Sequence, residues 1–75
     1  MQKYNDLNGD TGVAAYAIGS NSITVQFLRG GVYLYNSTKP GSQHVAEMQR
    51  LAQLGDGLNT YINKFVRTSY AEKLS

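Results

Sequence analysis

Residue types that build chemical sites are missing or scarce in this chain of 75 residues, which has no cysteine, no tryptophan and one histidine. Without cysteine, the chain forms no disulfide, thiolate metal site or cysteine nucleophile. His44 and Glu47 stand three residues apart, but a metal site needs three or four ligands and no third is evident. A lone histidine also leaves a Ser-His-Asp arrangement without support. We therefore expect neither catalysis nor a bound metal or cofactor.

Long apolar runs and strong charge are also lacking. No stretch approaches the roughly 20 apolar residues of a membrane-spanning helix, and the polar N-terminus resembles neither a signal peptide nor an anchor. We expect a cytoplasmic protein without a membrane partner. Seven Lys and Arg against five Asp and Glu give a formal net charge of +2. This charge is far below that of strong nucleic-acid binders.

The first twelve residues are polar and show no periodicity, so residues 1–12 are predicted to form a flexible N-terminal arm. Three residues of this arm have the spacing of the first ligands of a calcium loop: Asp6, Asn8 and Asp10. Thr11 and Ala17 stand where that motif needs glycine and glutamate. We predict no calcium site.

Three segments with alternating apolar residues predict an antiparallel meander over residues 13–18, 23–27 and 32–36. The Gly30-Gly31 pair predicts a tight turn between the last two strands, because glycine adopts positive φ readily. A two-residue turn would place Tyr33 and Tyr35 opposite Phe27. A three-residue turn with a glycine bulge would place them on the face of Phe27, and the adjacent glycines favour this second arrangement.

Two helices are predicted to follow, because apolar residues then recur at helical spacing. The first is expected from Ser42, a candidate N-cap, to Leu54, and the second from Asn59 or Thr60. Residues 71–75 are expected to fray. The predicted fold is α+β, with order β-β-β-α-α: one domain over residues 13–70, in which both helices cover one face of a three-stranded antiparallel sheet.

Aromatic and basic residues occur together in the second half of the chain. Tyrosine rings on a sheet can stack unpaired bases while nearby basic side chains contact phosphates. The candidate nucleic-acid-binding residues are Tyr33, Tyr35, Arg29, Lys39, Asn63, Lys64 and Arg67. Tyrosine is equally a good strand residue that buries its ring, and surface lysines keep a helix soluble. The sequence leaves open whether the two tyrosines belong to the surface or to the core.

The order of several short motifs resembles the KTSC family, small domains at the C-terminus of some lysyl-tRNA synthetases that also occur as free-standing bacterial proteins. The motifs are Ile23-x-Val25-x-Phe27 before Gly30, then Tyr33-Leu34-Tyr35, then Tyr61-Ile62-Asn63 followed by Val66-Arg67. The resemblance covers residues 13–70. From the synthetase context it implies RNA binding, with Tyr33, Tyr35, Asn63 and Arg67 at the matched positions.

Two functions from different classes follow as expectations. The first is RNA binding, with the two tyrosines stacking bases and the basic residues contacting phosphates. The alternative is a protein-interaction module or homodimer that buries the tyrosine face or a sheet edge and has no nucleic-acid role.

Overall fold

Five strands lie side by side in chain order in one antiparallel sheet. This computed structural model describes residues 1–7, 9 and 12–75. The strands are β1 (Gln2–Lys3), β2 (Val13–Gly19), β3 (Ser22–Phe27), β4 (Val32–Asn36) and β5 (Glu72–Lys73). Between β4 and β5 the chain forms α1 (Ser42–Leu54) and α2 (Leu58–Tyr61), and α2 continues directly into a π-helical turn, Ile62–Val66.

The predicted α+β class is confirmed, and the three predicted strands form the centre of the sheet. The sheet, however, has five strands, because the two terminal segments pair with its edges. Gln2–Lys3 pairs with β2, and Glu72–Lys73 pairs with β4. The predicted arm over 1–12 and the predicted fraying of 71–75 are therefore wrong at β1 and β5. Segments of two residues are too short to show an alternating pattern, so periodicity could not indicate them.

The segment after β1 is also part of the fold. Tyr4 is 3% exposed, and its hydroxyl accepts a hydrogen bond of 3.1 Å from the backbone N–H of Leu58. The backbone N–H of Leu7 donates to the carbonyl oxygen of Gly55 at 2.6 Å. Of the calcium-like motif, Asp6 is described, whereas Asn8 and Asp10 lie outside the described residues.

Glycine residues delimit both helices. Helix α1 begins after Gly41, whose φ is 112°, so the predicted cap Ser42 is instead its first residue. The helix ends at Leu54, as predicted, and Gly55 follows it with a left-handed φ of 79°. Helix α2 begins at Leu58 after Gly57, one residue before the predicted start. Among the described residues, no helix combines the length and apolar character of a membrane span.

The core lies between the helices and one face of the sheet. Cross-strand pairing places Tyr16 beside Val25, and Ile23 beside Tyr35, so these strand residues share a face. The helices add Val45, Met48, Ala52, Leu58, Ile62 and Val66 to the same buried cluster.

Candidate functional site

Tyr33 and Tyr35 lie on the core face of the sheet. Tyr33 pairs with Val25, and Tyr35 pairs with Ile23. The backbone N–H of Phe27 donates to the carbonyl oxygen of Gly31 at 3.0 Å, which leaves three residues, 28–30, in the turn. The arrangement that the adjacent glycines favour, with both tyrosines on the face of Phe27, is therefore the observed one.

The reason for glycine in this turn differs from the predicted one. Four described glycines have positive φ, and neither Gly30 nor Gly31 is among them. A Cβ at Gly31 would instead collide with the carbonyl oxygen of Ser75. The segment after β5 also runs beside β4, where the N–H of Leu74 donates to the carbonyl oxygen of Val32 at 2.7 Å. Gly31 thus allows close approach of two backbones.

A cavity of about 590 Å³ opens between the β3–β4 turn, Gly12 and the π-helical turn. This volume is within the range of roughly 300–1,000 Å³ that is typical of small-molecule sites. The lining residues are Gly12, Phe27, Leu28, Arg29, Gly30, Tyr33, Tyr35, Ile62, Asn63, Arg67 and Tyr70. Five of the seven residues that the sequence singles out are therefore brought together here.

The other two predicted site residues lie elsewhere. Lys39 belongs to the loop after β4, where its backbone N–H donates to Asn36 Oδ1 at 3.1 Å. The Lys64 ammonium lies 5.4 Å from the centre of the Phe65 ring. Neither lysine lines the cavity, because Lys39 follows the far end of β4 and Lys64 lies beside Phe65.

Tyr35 is 1% exposed, so its ring is part of the core and cannot stack a base from the surface. This corrects the predicted stacking role of Tyr35. Burial, with a smaller contribution from nearby Tyr33 and Tyr70, raises the pKa of Tyr35 to about 12. The hydroxyl is therefore protonated at neutral pH and is a hydrogen-bond donor.

The Tyr33 ring has two aromatic neighbours in edge-on contact. Ring centres are 5.6 Å apart for Phe27 and Tyr33, and 4.7 Å apart for Tyr33 and Tyr70. The Lys73 ammonium lies 5.9 Å from the centre of the Tyr33 ring. Tyr70 and Lys73 were not predicted as site residues, because the end of the chain was expected to lie outside the sheet. Pairing of β5 with β4 brings both beside the cavity.

Among the described residues, none that lines the cavity carries a negative charge to balance its arginines. Arg29 and Arg67 are exposed at its rim, and none of the described lining residues is acidic. Away from the cavity, on α1, Arg50 and Glu47 form an ion pair at 2.6 Å, and this contact lowers the pKa of Glu47. A cavity lined by unpaired cations attracts anions.

Asn63 and Arg67 line the cavity from the π-helical turn and its end. Neither side chain makes a hydrogen bond to another described residue, so neither holds the helix to the sheet. Single π-helical turns inside helices are frequent at functional sites. Here the turn supplies two polar groups that are free to contact a ligand.

Comparison of the chain with protein-family models, with curated proteins and with solved structures finds no match. The resemblance to the KTSC family therefore stays a prediction.

Proposed function

We propose that the protein binds single-stranded RNA by taking one unpaired nucleotide into the cavity. The observation that carries this proposal is the convergence of aromatic rings with two unpaired arginines in one cavity of about 590 Å³. Unpaired RNA bases are characteristically recognised by aromatic stacking, and their phosphates by basic side chains. The resemblance to the KTSC family supports the same function. The proposed activity is binding without catalysis, in the cytoplasm.

Tyr33 and Tyr70 form the proposed stacking wall. Both are partly exposed, and their ring centres are only 4.7 Å apart, so a base entering the cavity meets an aromatic surface. Stacking of one base on an aromatic side chain contributes roughly 1–3 kcal/mol to binding. This pair replaces the Tyr33 and Tyr35 pair of the sequence-based hypothesis.

Arg29 and Arg67 form the proposed phosphate contacts. The guanidinium group offers a planar set of donors that matches two phosphate oxygens at once. Lys73, beside Tyr33, adds a third cation near the rim. Lys39 and Lys64 are dropped from the proposed interface because they lie away from the cavity.

The protein-interaction alternative has less support. The tyrosine face that it would bury is already covered within the fold, since Tyr35 is in the core. The sheet edges are strands of two residues, and they carry Lys3, Glu72 and Lys73. Short, charged edge strands are a common means of preventing pairing with another chain. This alternative stays a prediction.

An amide NMR titration with an unstructured hexauridylate tests the proposal. We expect saturable shifts at residues 28–31, 63–67 and 70 that weaken as salt is raised from low to moderate concentration. For single strands, the logarithm of the affinity falls with the logarithm of salt by about 0.7 for each phosphate contact. Because few cations are involved, the expected salt slope is shallow.

The variants Arg29→Gln and Arg67→Gln, combined, should lower hexauridylate affinity by about tenfold or more, because two charge-assisted hydrogen bonds are lost. They should also make the salt slope shallower. Arg50→Gln is the matched control: it removes one positive charge from α1, at the Glu47 pair, away from the cavity. The proposal is rejected if no shifts occur at low salt, or if the double variant binds as the parent protein does.

A further inference from the structure

Tyr35 is a buried side chain whose hydroxyl has no hydrogen-bond partner among the described residues. Its hydroxyl makes no hydrogen bond to another described residue, although the residue is 1% exposed. Buried polar groups are nearly always hydrogen-bonded, so such a group calls for an explanation. Among the described residues, the one fully enclosed side-chain oxygen or nitrogen without a partner is Asp6 Oδ1. The Tyr35 hydroxyl is therefore not sealed off, and the cavity that Tyr35 lines is the space it can reach.

Exposure divides the cavity into a floor, a wall and a rim. Tyr35 and Ile62 are buried and form the floor, whereas Tyr33 and Tyr70 are half-buried and form the wall. The exposed rim consists of Leu28, Arg29, Gly30, Asn63 and Arg67. The floor thus has a neutral hydroxyl donor, and the positive charge is at the opening.

We propose that the nucleotide enters base first, so that an acceptor atom on the far edge of the base takes a hydrogen bond from the Tyr35 hydroxyl while the phosphate stays at the rim between Arg29 and Arg67. This inference rests on the proposed function and deepens it. It identifies a single nucleotide, base and phosphate together, as the unit that the cavity recognises.

The positions of the apolar floor and the cationic rim of the cavity support this orientation of the nucleotide. A phosphate at the floor would be desolvated beside the buried Ile62, whereas both arginines are exposed. Burying a charge without a paired counter-ion is costly. A base at the floor instead replaces water with aromatic rings and meets one directed donor. In an apolar surrounding, such a donor contributes mainly when the ligand offers it an acceptor.

Two sources can supply this ligand: an unpaired nucleotide within RNA, or a free nucleoside monophosphate. Uridine 5′-monophosphate is the suitable probe, because the uracil ring carries carbonyl oxygens that accept hydrogen bonds. We expect it to shift the resonances of Tyr33, Tyr35 and Tyr70. Uridine and inorganic phosphate, which each lack half of the recognised unit, should bind at least about tenfold more weakly, because each loses either the stacking or the charge-assisted contacts.

Tyr35→Phe removes the hydroxyl and keeps the ring. It should weaken binding of uridine 5′-monophosphate about three- to tenfold, in keeping with the loss of one hydrogen bond. The matched control is Tyr16→Phe, a buried tyrosine of the same sheet face that does not line the cavity, and its binding should equal that of the parent protein. Arg67→Gln tests the rim separately, and should reduce the advantage of uridine 5′-monophosphate over uridine.

The outcomes separate this inference from the proposed function. Unchanged affinity of Tyr35→Phe, or equal binding of uridine and uridine 5′-monophosphate, overturns base-first entry, while hexauridylate binding at the cavity would still support RNA binding. Binding of the mononucleotide but not of hexauridylate overturns RNA binding and retains the inferred orientation for a free nucleotide. Absence of binding by both ligands overturns both.

Discussion

The two ends of the helical segment that begins with α2 differ in how their polar groups are paired. At the start, the backbone N–H of Leu58 donates to the Tyr4 hydroxyl at 3.1 Å. Close by, the Tyr61 hydroxyl and His44 Nδ1 are 2.6 Å apart and share a hydrogen bond. At the other end, Asn63 and Arg67 face the cavity with no hydrogen bond to another described residue.

Tyr4 and Tyr35 show what this difference means for a single residue type. Both are buried tyrosines, at 3% and 1% exposure. The Tyr4 hydroxyl satisfies a backbone group that a helix start leaves unpaired, which is a structural role. The Tyr35 hydroxyl has no such partner and belongs to a cavity. Of these two tyrosines, the one with a hydrogen-bond partner lies beside the start of α2, and the one without lines the proposed binding cavity.

The largest expected effect on stability comes from the start of α2. Tyr4→Phe leaves the buried N–H of Leu58 without its acceptor, so we expect the free energy of unfolding to fall by about 1–3 kcal/mol. Urea unfolding at neutral pH, followed by circular dichroism, measures this change. Nucleotide affinity of the folded protein should not change, because Tyr4 does not line the cavity. If Tyr4→Phe were as stable as the parent protein, the start of α2 could not be assigned a structural role on the basis of this hydrogen bond.

A smaller effect is expected at the His44–Tyr61 pair. Tyr61→Phe removes a half-buried hydrogen bond of 2.6 Å, and we expect a loss of about 0.5–1.5 kcal/mol in the free energy of unfolding. The same urea experiment applies, and Tyr16→Phe serves as the control for the loss of a hydroxyl alone. A Tyr61→Phe variant that loses nucleotide affinity but not stability would contradict the division into two ends.

The elements that could be predicted from the sequence are those long enough to show a periodic pattern of apolar residues. The central strands and α1 were predicted within a residue or two, because alternation and helical spacing are visible over five residues or more. The edge strands were missed because Gln2–Lys3 and Glu72–Lys73 carry no period of their own. They form because β2 and β4 offer unpaired backbone edges, which is a tertiary effect.

The sequence predicted which residues belong to the candidate site better than it predicted where they lie. Arg29, Tyr33, Asn63 and Arg67 were identified from residue type and resemblance, and they line one cavity. Tyr70 was missed because its position depends on β5, and Tyr35 was given an exposed role because strand register fixes a face but not the depth of burial. No local pattern encodes that depth, since the helices that cover Tyr35 lie later in the chain.

The smallest expected change at neutral pH is that of Tyr35→Phe, and it sharpens the comparison with Tyr4. No hydrogen bond to another described residue is lost and the ring remains, so stability should change by less than about 0.5 kcal/mol. A difference in stability between the parent protein and Tyr35→Phe should appear at alkaline pH. Burial raises the pKa of Tyr35 to about 12, above its usual 10, so the folded protein retains this proton where the unfolded chain releases it. The contribution of Tyr35 to the stability of the fold is therefore complete below pH 10 and is lost as the pH rises from about 10 to 12.

Urea midpoints of the parent protein and of Tyr35→Phe, measured at pH 9 and pH 11, test this prediction. The parent protein should lose more stability than the variant between these two values, since phenylalanine has no proton to release. If both lost the same amount, Tyr35 would titrate alike in the folded and unfolded chain. Its hydroxyl would then be as accessible to water as an exposed one, which would contradict its place at the buried floor of the cavity.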